Sequence, residues 1–257
     1  TPDLIESMLD LHPQARALFF TSPTYFGAAA DVHQLVKLAH SRGLLVLVDE
    51  AWGAHLAFHP ELPPSAVSAG ADLVVQSSHK LVSGMSQAAM LHLNGSQVDR
   101  ARLESVLRLL QTTSPSCLLV ASLDTARRQL ATQGLALLDK VLRLARQARL
   151  GLQAVGAHCY GRRPGVHAWD DSRLVFSLAH LGFSGFEVER RLRYEHNLQL
   201  EMSDRRNLVA LVTPGHEAQH IERLVQAVGQ LTKEMPAQPV ARSTPPRSLP
   251  ESRLTLK

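Results

Sequence analysis

The chain has 257 residues, 45% of them hydrophobic and 19% charged, the balance of a globular protein with enough length to bury a sizeable core. No run of eighteen apolar residues occurs, which excludes a long apolar membrane span. The net charge of +4 is spread over separate helix faces (Arg100, Arg102, Arg108, Arg127, Arg128), with no interleaved aromatics and no nucleic-acid-binding motif, so it reads as a modestly basic surface, with neither nucleic acid nor membrane as partner. Cys117 and Cys159 form no CxxC pair or disulfide framework, which suits a reducing, cytoplasmic compartment. Thr1-Pro2-Asp3 lacks an initiating Met and shows no signal peptide, and the expectation is a piece of a longer chain.

In chain order, residues 4–10 read as the end of a helix, and residues 15–21 (ARALFFT) as a buried strand closed by Ser22-Pro23. Helical spacing of Val32, Leu35, Val36 and Leu38 predicts a helix over 31–41, stopped at Gly43. Residues 44–48 (LLVLV), 71–75 (ADLVV) and 88–93 give three more strands. Short apolar strands alternating with helices predict a mainly parallel sheet covered on both faces. From 98 to about 155 the pattern is helical, broken at Pro115, with a long amphipathic segment over 135–150. Beyond Gly156 strands are expected at 174–179, 198–202 and 208–212, and helices at 185–194 and 217–231. The fold class is therefore α/β, followed by a small α+β domain. The expected division is 1–155, 156–234 and a Pro/Ser/Arg-rich tail at 235–257.

Asp49 ends the strand LLVLV, and Lys80 follows the next strand in Gln76-Ser77-Ser78-His79-Lys80. Ligands of open α/β sheets bind beyond the carboxyl ends of the strands, and successive parallel strands can bring these two ends together. An acid and a lysine meeting there suit pyridoxal 5'-phosphate (PLP): the amine takes the aldehyde carbon, and the carboxylate keeps the pyridine nitrogen protonated. Ser77, Ser78 and His79 offer groups for a phosphate. Spacing alone leaves plainer roles open: Asp49 as a cap, Lys80 as a solvated loop residue, His55 as a partly buried structural histidine. No metal site is expected.

Residues 48–93 (VDEAWGAHLAFHPELPPSAVSAGADLVVQSSHKLVSGMSQAAMLHL) resemble the major domain of the Orn/Lys/Arg decarboxylase family. The matching features are Asp49-Glu50-Ala51, then Ser77-Ser78-His79-Lys80, then Ser83, Gly84, Ser86 and Gln87. Leu110-Gln111-Thr112-Thr113-Ser114-Pro115-Ser116, Ala121-Ser122-Leu123-Asp124 and Leu200-Glu201-Met202-Ser203-Asp204 extend the likeness over most of the chain. The resemblance implies a fold type I PLP enzyme that decarboxylates a basic amino acid in polyamine metabolism and works as a homodimer or higher homo-oligomer. Arginine is the first choice of substrate, since LQTTSPS and LDTARRQL look closest to the short arginine-type members; lysine and ornithine are the others.

By that resemblance Lys80 carries PLP and Asp49 partners its ring nitrogen. Ala51 packs on the ring, and Ser77 and His79 approach the phosphate. Thr112 contacts the phosphate of a neighbouring subunit. Trp52, also placed at the cofactor, departs from the His common in short bacterial members. Lys80 or His79 returns the proton after CO2 leaves. Glu201 is a candidate for the far end of the substrate, its plain alternative being an exposed strand residue. The family's Gly/Ser/Thr-rich phosphate loop and ring-stacking residue precede its first matching strand, and residues 1–20 contain neither. Ser243-Thr244-Pro245-Pro246-Arg247 resembles the stretch leading into the family's C-terminal domain. An internal or incomplete version of a decarboxylase is therefore expected. Two other readings stay open: another fold type I activity (aldolase or aminotransferase), and an inactive relic without a complete cofactor site.

Overall fold

The structure, a computed structural model, describes residues 1–234. The tail and its Ser-Thr-Pro-Pro-Arg stretch lie outside the described residues.

Helix α1 (Pro2–Leu11) leads into strand β1 (Ala17–Thr21), a short β2 (Ala28–Ala29), helix α2 (Val32–Ser41) and β3 (Leu45–Asp49). Asp31 caps α2 by accepting from the Gln34 amide at 3.0 Å, and Gly43 leaves the helix at φ +71°. A 3-10 turn at Leu56–Phe58 precedes β4 (Leu73–Gln76), the single-turn helix α3 (Ser78–Leu81) and β5 (Met90–Leu93). These strands form one sheet in the order β1-β3-β4-β5; β1, β3 and β4 run parallel and β5 runs antiparallel at the edge.

Alternation along the strands sorts the sheet into two faces. Leu18, Val46, Val48 and Val74 point to one face and are buried with Leu9 of α1 and Leu35, Val36 and Ala39 of α2. The other face departs from the expected double cover. Phe19 is 68% exposed and Val75 44%, with Leu91 beside Val75 across the β4–β5 ladder. The reason is that both helices packed on this sheet, α1 and α2, bury their apolar stripes in the same cluster. The apolar run of each strand therefore has a packing partner on one side only.

Helix α4 (Arg100–Leu110) starts at an Asp99 cap and buries no residue. Pro115 separates it from α5 (Cys117–Ala154), a single helix of 38 residues, much longer than the amphipathic segment legible over 135–150. Strands β6 (His158–Tyr160), β7 (Ala168–Trp169) and β8 (Arg173–Ser177) follow, then helix α6 (Gly185–His196), β9 (Met202–Ser203), β10 (Leu208–Leu211) and α7 (Ala218–Glu234). The second sheet has the order β6-β8-β10-β9, all antiparallel. The strand expected over 198–202 is reduced to Met202–Ser203. Asn197 closes α6 in the left-handed conformation at φ 54°, and Leu198 turns back to the Leu192 carbonyl at 2.8 Å, so the strand begins only at Met202.

The second core joins Val141, Leu144, Ala145, Ala148 and Leu152 of α5 to Phe176, Leu208, Leu224, Val228 and Leu231. Leu138 and Leu142 on an adjoining stripe of α5 pack under Leu56 and Leu62. A small β2–β7 pairing, Ala28 with Trp169 and Ala29 with Ala168, ties the loop after β1 to the later strands.

Candidate active site

Asp49 is the last residue of β3 and lies opposite Val75 of β4. Its Oδ1 accepts from the Ala51 amide at 2.9 Å, which closes a tight turn, while Oδ2 makes no hydrogen bond or ion pair among the described residues. The adjacent Glu50 points the opposite way, as period-two alternation requires. It is fully buried, accepting from Ser65 Oγ at 2.8 Å, the Ala66 amide at 2.7 Å and Gln76 Nε2 at 2.6 Å. Burial raises its pKa against those donors. One tripeptide thus supplies a half-buried free carboxylate at the sheet edge and a fully bonded acid that braces β4 beneath it.

Ser77 is the N-cap position of the α3 turn, and its carbonyl accepts the Lys80 amide at 3.1 Å. Lys80 leaves this turn half-buried, its Nζ 4.4 Å from the centroid of the Trp52 indole. No carboxylate pairs with it among the described residues. His79 is held by Nδ1, 2.8 Å from the Ala88 carbonyl. A carbonyl only accepts, so Nδ1 carries the proton and Nε2 is the acceptor of the neutral ring. Nε2 then binds a phosphate oxygen only after protonation.

Three residues that sequence reasoning passed over complete the cluster. Tyr25, just beyond β1, meets Trp52 edge-on with ring centroids 4.7 Å apart, and its hydroxyl donates to Glu201 Oε1 at 2.8 Å. Burial, then the hydrogen bond and charge of Glu201, push the Tyr25 phenol up to about 12. Arg173 of β8 is fully buried. Its Nη1 donates to the Tyr25 carbonyl at 2.8 Å, its Nη2 to the Trp52 carbonyl at 3.0 Å, and its guanidinium lies 4.4 Å from the Trp52 centroid. Asp170 Oδ2 balances that charge, 3.4 Å from Arg173 Nε and 3.1 Å from His55 Nε2, the latter without hydrogen-bond alignment. Burial alone would raise the Asp170 carboxyl; His55 and Arg173 overcome it and hold the group well below the usual carboxylate range. His55 is 2% exposed and faces Asp170, which is the structural role left open for it. Tyr25 had one available signal, its place after the first parallel strand at the same edge as Asp49. Arg173 had none, standing inside the apolar run RLVFS.

The fold therefore brings Asp49, Ala51, Trp52, Ser77, His79 and Lys80 to one sheet edge and links Glu201 to them through Tyr25. Thr112 is not brought in. It lies exposed between α4 and α5, where its Oγ1 accepts from the Ser114 amide at 3.2 Å. The donor set fits PLP: an amine without a carboxylate partner stands beside a turn whose acid keeps one free oxygen.

Residues 1–169 match the family model for the Orn/Lys/Arg decarboxylase major domain. The chain belongs to this family. An arginine decarboxylase of Bacillus subtilis (strain 168) is 41% identical over 245 residues, covering 93% of this chain and 50% of the relative. An arginine decarboxylase of Bacillus anthracis is 39% identical over 233 residues, covering 89% of this chain and 47% of the relative. Lysine decarboxylase A from Pseudomonas aeruginosa superposes with a TM-score of 0.76 at 19% identity, over 89% of this chain and 39% of that one. The architecture is that of the fold type I PLP enzymes, present in part. The chain spans about half the length of the curated relatives it matches.

Proposed function

We propose that this family member acts in the PLP-dependent decarboxylation of a basic amino acid, arginine first, with lysine and ornithine as the other candidates, and serves polyamine synthesis in the cytoplasm. The observation that carries the reading is the convergence of Lys80 and Asp49 at one sheet edge, in a chain 41% identical to an arginine decarboxylase. When bound, PLP supplies an electron sink for the pair released as the carboxylate departs as CO2.

The chain's own residues do the rest. Lys80 Nζ would be the nucleophile that anchors the cofactor, and Asp49, with Oδ2 unengaged among the described residues, would hold its ring nitrogen protonated. The Ala51 side chain would pack on the ring, and the Trp52 indole stands beside the Lys80 amine. Ser77 Oγ and His79 would hold phosphate oxygens. Lys80 would be placed to hand a proton back to Cα, with His79 as the other donor. Glu201 takes the cationic end of the substrate. Thr112 reaches the phosphate of a second copy in a homodimer, consistent with its exposed place on the connecting loop.

The test is spectroscopic and then chemical. Added PLP gives the full 257-residue chain the visible band of lysine-bound cofactor, Lys80→Ala abolishes it, and Asp49→Asn shifts and weakens it. CO2 and amine release are then compared for arginine, lysine and ornithine. Absence of the band both from this chain and from one extended by an upstream Gly/Ser/Thr-rich phosphate loop, or amino-group transfer without CO2, defeats the reading.

A further inference from the structure

The carboxylate of Glu201 is exposed, yet it does not hang free. Its Oε1 is held by the Tyr25 hydroxyl at 2.8 Å, and its Oε2 has no hydrogen bond or ion pair among the described residues. Tyr25 is itself rigidly set. Its carbonyl accepts from Arg173 and its ring abuts Trp52. The turn around it closes through Thr24 N to Ala28 O at 2.8 Å and Gly27 N to Thr24 O at 2.9 Å. Gly27 permits that turn with φ +100°, and a side chain there would press on Arg173 and the Asp170 carbonyl. The β2–β7 pairing then fixes the end of the turn to the later strands.

We propose that Tyr25 is a positioning residue for substrate selection: it fixes Glu201 with one oxygen engaged and the other presented to a guanidinium or ammonium at the far end of the substrate. The proposal rests on the reading of Glu201 as the distal acid. An unrestrained glutamate loses rotamer freedom when a ligand orders it, and Tyr25 removes that loss beforehand. The phenol suits the task, because it donates strongly to a carboxylate, and burial together with Glu201 keeps it protonated up to about pH 12. It acts only through Glu201, so its effect is confined to ligands that carry the distal cation.

The experiment measures binding of agmatine, the amine arginine yields on losing CO2, and of pentylamine, which lacks the distal cation. It uses the full PLP-treated chain and its Tyr25→Phe, Glu201→Gln and double variants. Expected is a loss of about tenfold in agmatine affinity for each single variant, the scale of one charge-assisted hydrogen bond, with pentylamine unmoved. Tyr25→Phe should add less than about twofold in the Glu201→Gln background, since the two act as a unit. A second readout needs no ligand. Labelling the tyrosine ring carbon bearing the hydroxyl and following it by NMR should show Tyr25 titrating lower in Glu201→Gln than in the wild type.

Weakened agmatine binding in Glu201→Gln but not in Tyr25→Phe overturns the Tyr25 role and leaves the distal-acid reading standing. Unchanged agmatine binding in Glu201→Gln overturns both. Equal loss for both amines, additive with Glu201→Gln, makes Tyr25 merely structural and also overturns the proposal. Should Tyr25→Phe fail to fold, the titration decides: no downward shift in Glu201→Gln means the pair is not coupled in solution.

Discussion

Asp170 shows how much one buried side chain governs around this site. Its carboxylate faces His55 and Arg173 with no water-exposed surface, so removing its charge leaves both opposite a neutral group. Asp170→Asn is expected to destabilise the protein by about 3–5 kcal/mol, the cost of stranding a buried charge. The pH dependence has a definite sign. The folded carboxyl is held below its unfolded value of about 3.9, so its stabilisation is in force above that pH and fades as pH falls toward the folded value. Urea midpoints at pH 7, 5, 4 and 3 should drop steeply at the acid end in the wild type and less so in Asp170→Asn; parallel curves would remove Asp170 from the account. At this scale the sequence was legible where chemistry and strand ends coincide: Asp49 ends one apolar run, and Lys80 follows the next within a short polar turn. It was silent on Arg173, whose partners Tyr25 and Trp52 lie 148 and 121 residues away in the chain, and on Asp170, which meets His55 across the fold. No local pattern encodes such a pairing.

Among the elements, two glycines mark the closest approaches. A Cβ on Gly185, the first residue of α6, would stand 2.2 Å from the Asp204 carbonyl oxygen and 2.5 Å from that of Asn207. Those are backbone atoms in the turn that Asp204 Oδ1 closes by accepting the Arg206 and Asn207 amides, so they have little room to retreat. On Gly151 of α5 the Cβ would meet Val225 Cγ2 at 2.7 Å and Cγ1 at 3.1 Å, side-chain rather than backbone atoms, which α5 and α7 can relieve by a small shift. Gly185→Ala is therefore expected to cost about 2 kcal/mol by overpacking. Gly151→Ala should stay within about 1 kcal/mol of wild type, because better helix propensity offsets the crowding. Chemical denaturation of the two variants should preserve that order, and the reverse would mean that the α6 start moves freely. Element identity was largely legible because apolar periodicity and Gly/Pro punctuation agree over most segments. It failed where long-range packing decided. The break at Pro115 does separate α4 from α5, but α5 starts well before the amphipathic segment legible over 135–150 and runs on through Gly134, which leaves room for Phe58 at close approach. The open face of the first sheet was illegible, since an apolar strand reads the same whether or not a layer covers it.

For the molecule as a whole, the decisive contact is the one that couples the two sheets through Arg173. The residue starts β8 in the second sheet, and its fork ends on two carbonyls, Tyr25 after β1 and Trp52 after β3, while Asp170 neutralises it from the adjoining turn. Only a guanidinium can address two carbonyls and a carboxylate at once in fixed directions; an ammonium is a point charge that must choose. Arg173→Lys keeps the charge beside Asp170 but leaves at least one of those carbonyls without a donor, a loss of about 1–3 kcal/mol. The Trp52 carbonyl belongs to the turn whose side chain walls the Lys80 amine, so the damage should reach the cofactor site rather than stop at stability. The expected outcome is a several-fold rise in the PLP concentration that half-saturates the visible band. It should come with a change in Trp fluorescence, since Trp52 and Trp169 both lie at this junction. A lowered unfolding midpoint with an unaltered PLP response would mean that Arg173 holds the two sheets together without setting the position of Lys80. Recovery of the PLP response at temperatures where Arg173→Lys is fully folded would say the same. A persistent deficit under those conditions would make the coupling between the sheets part of the active site itself.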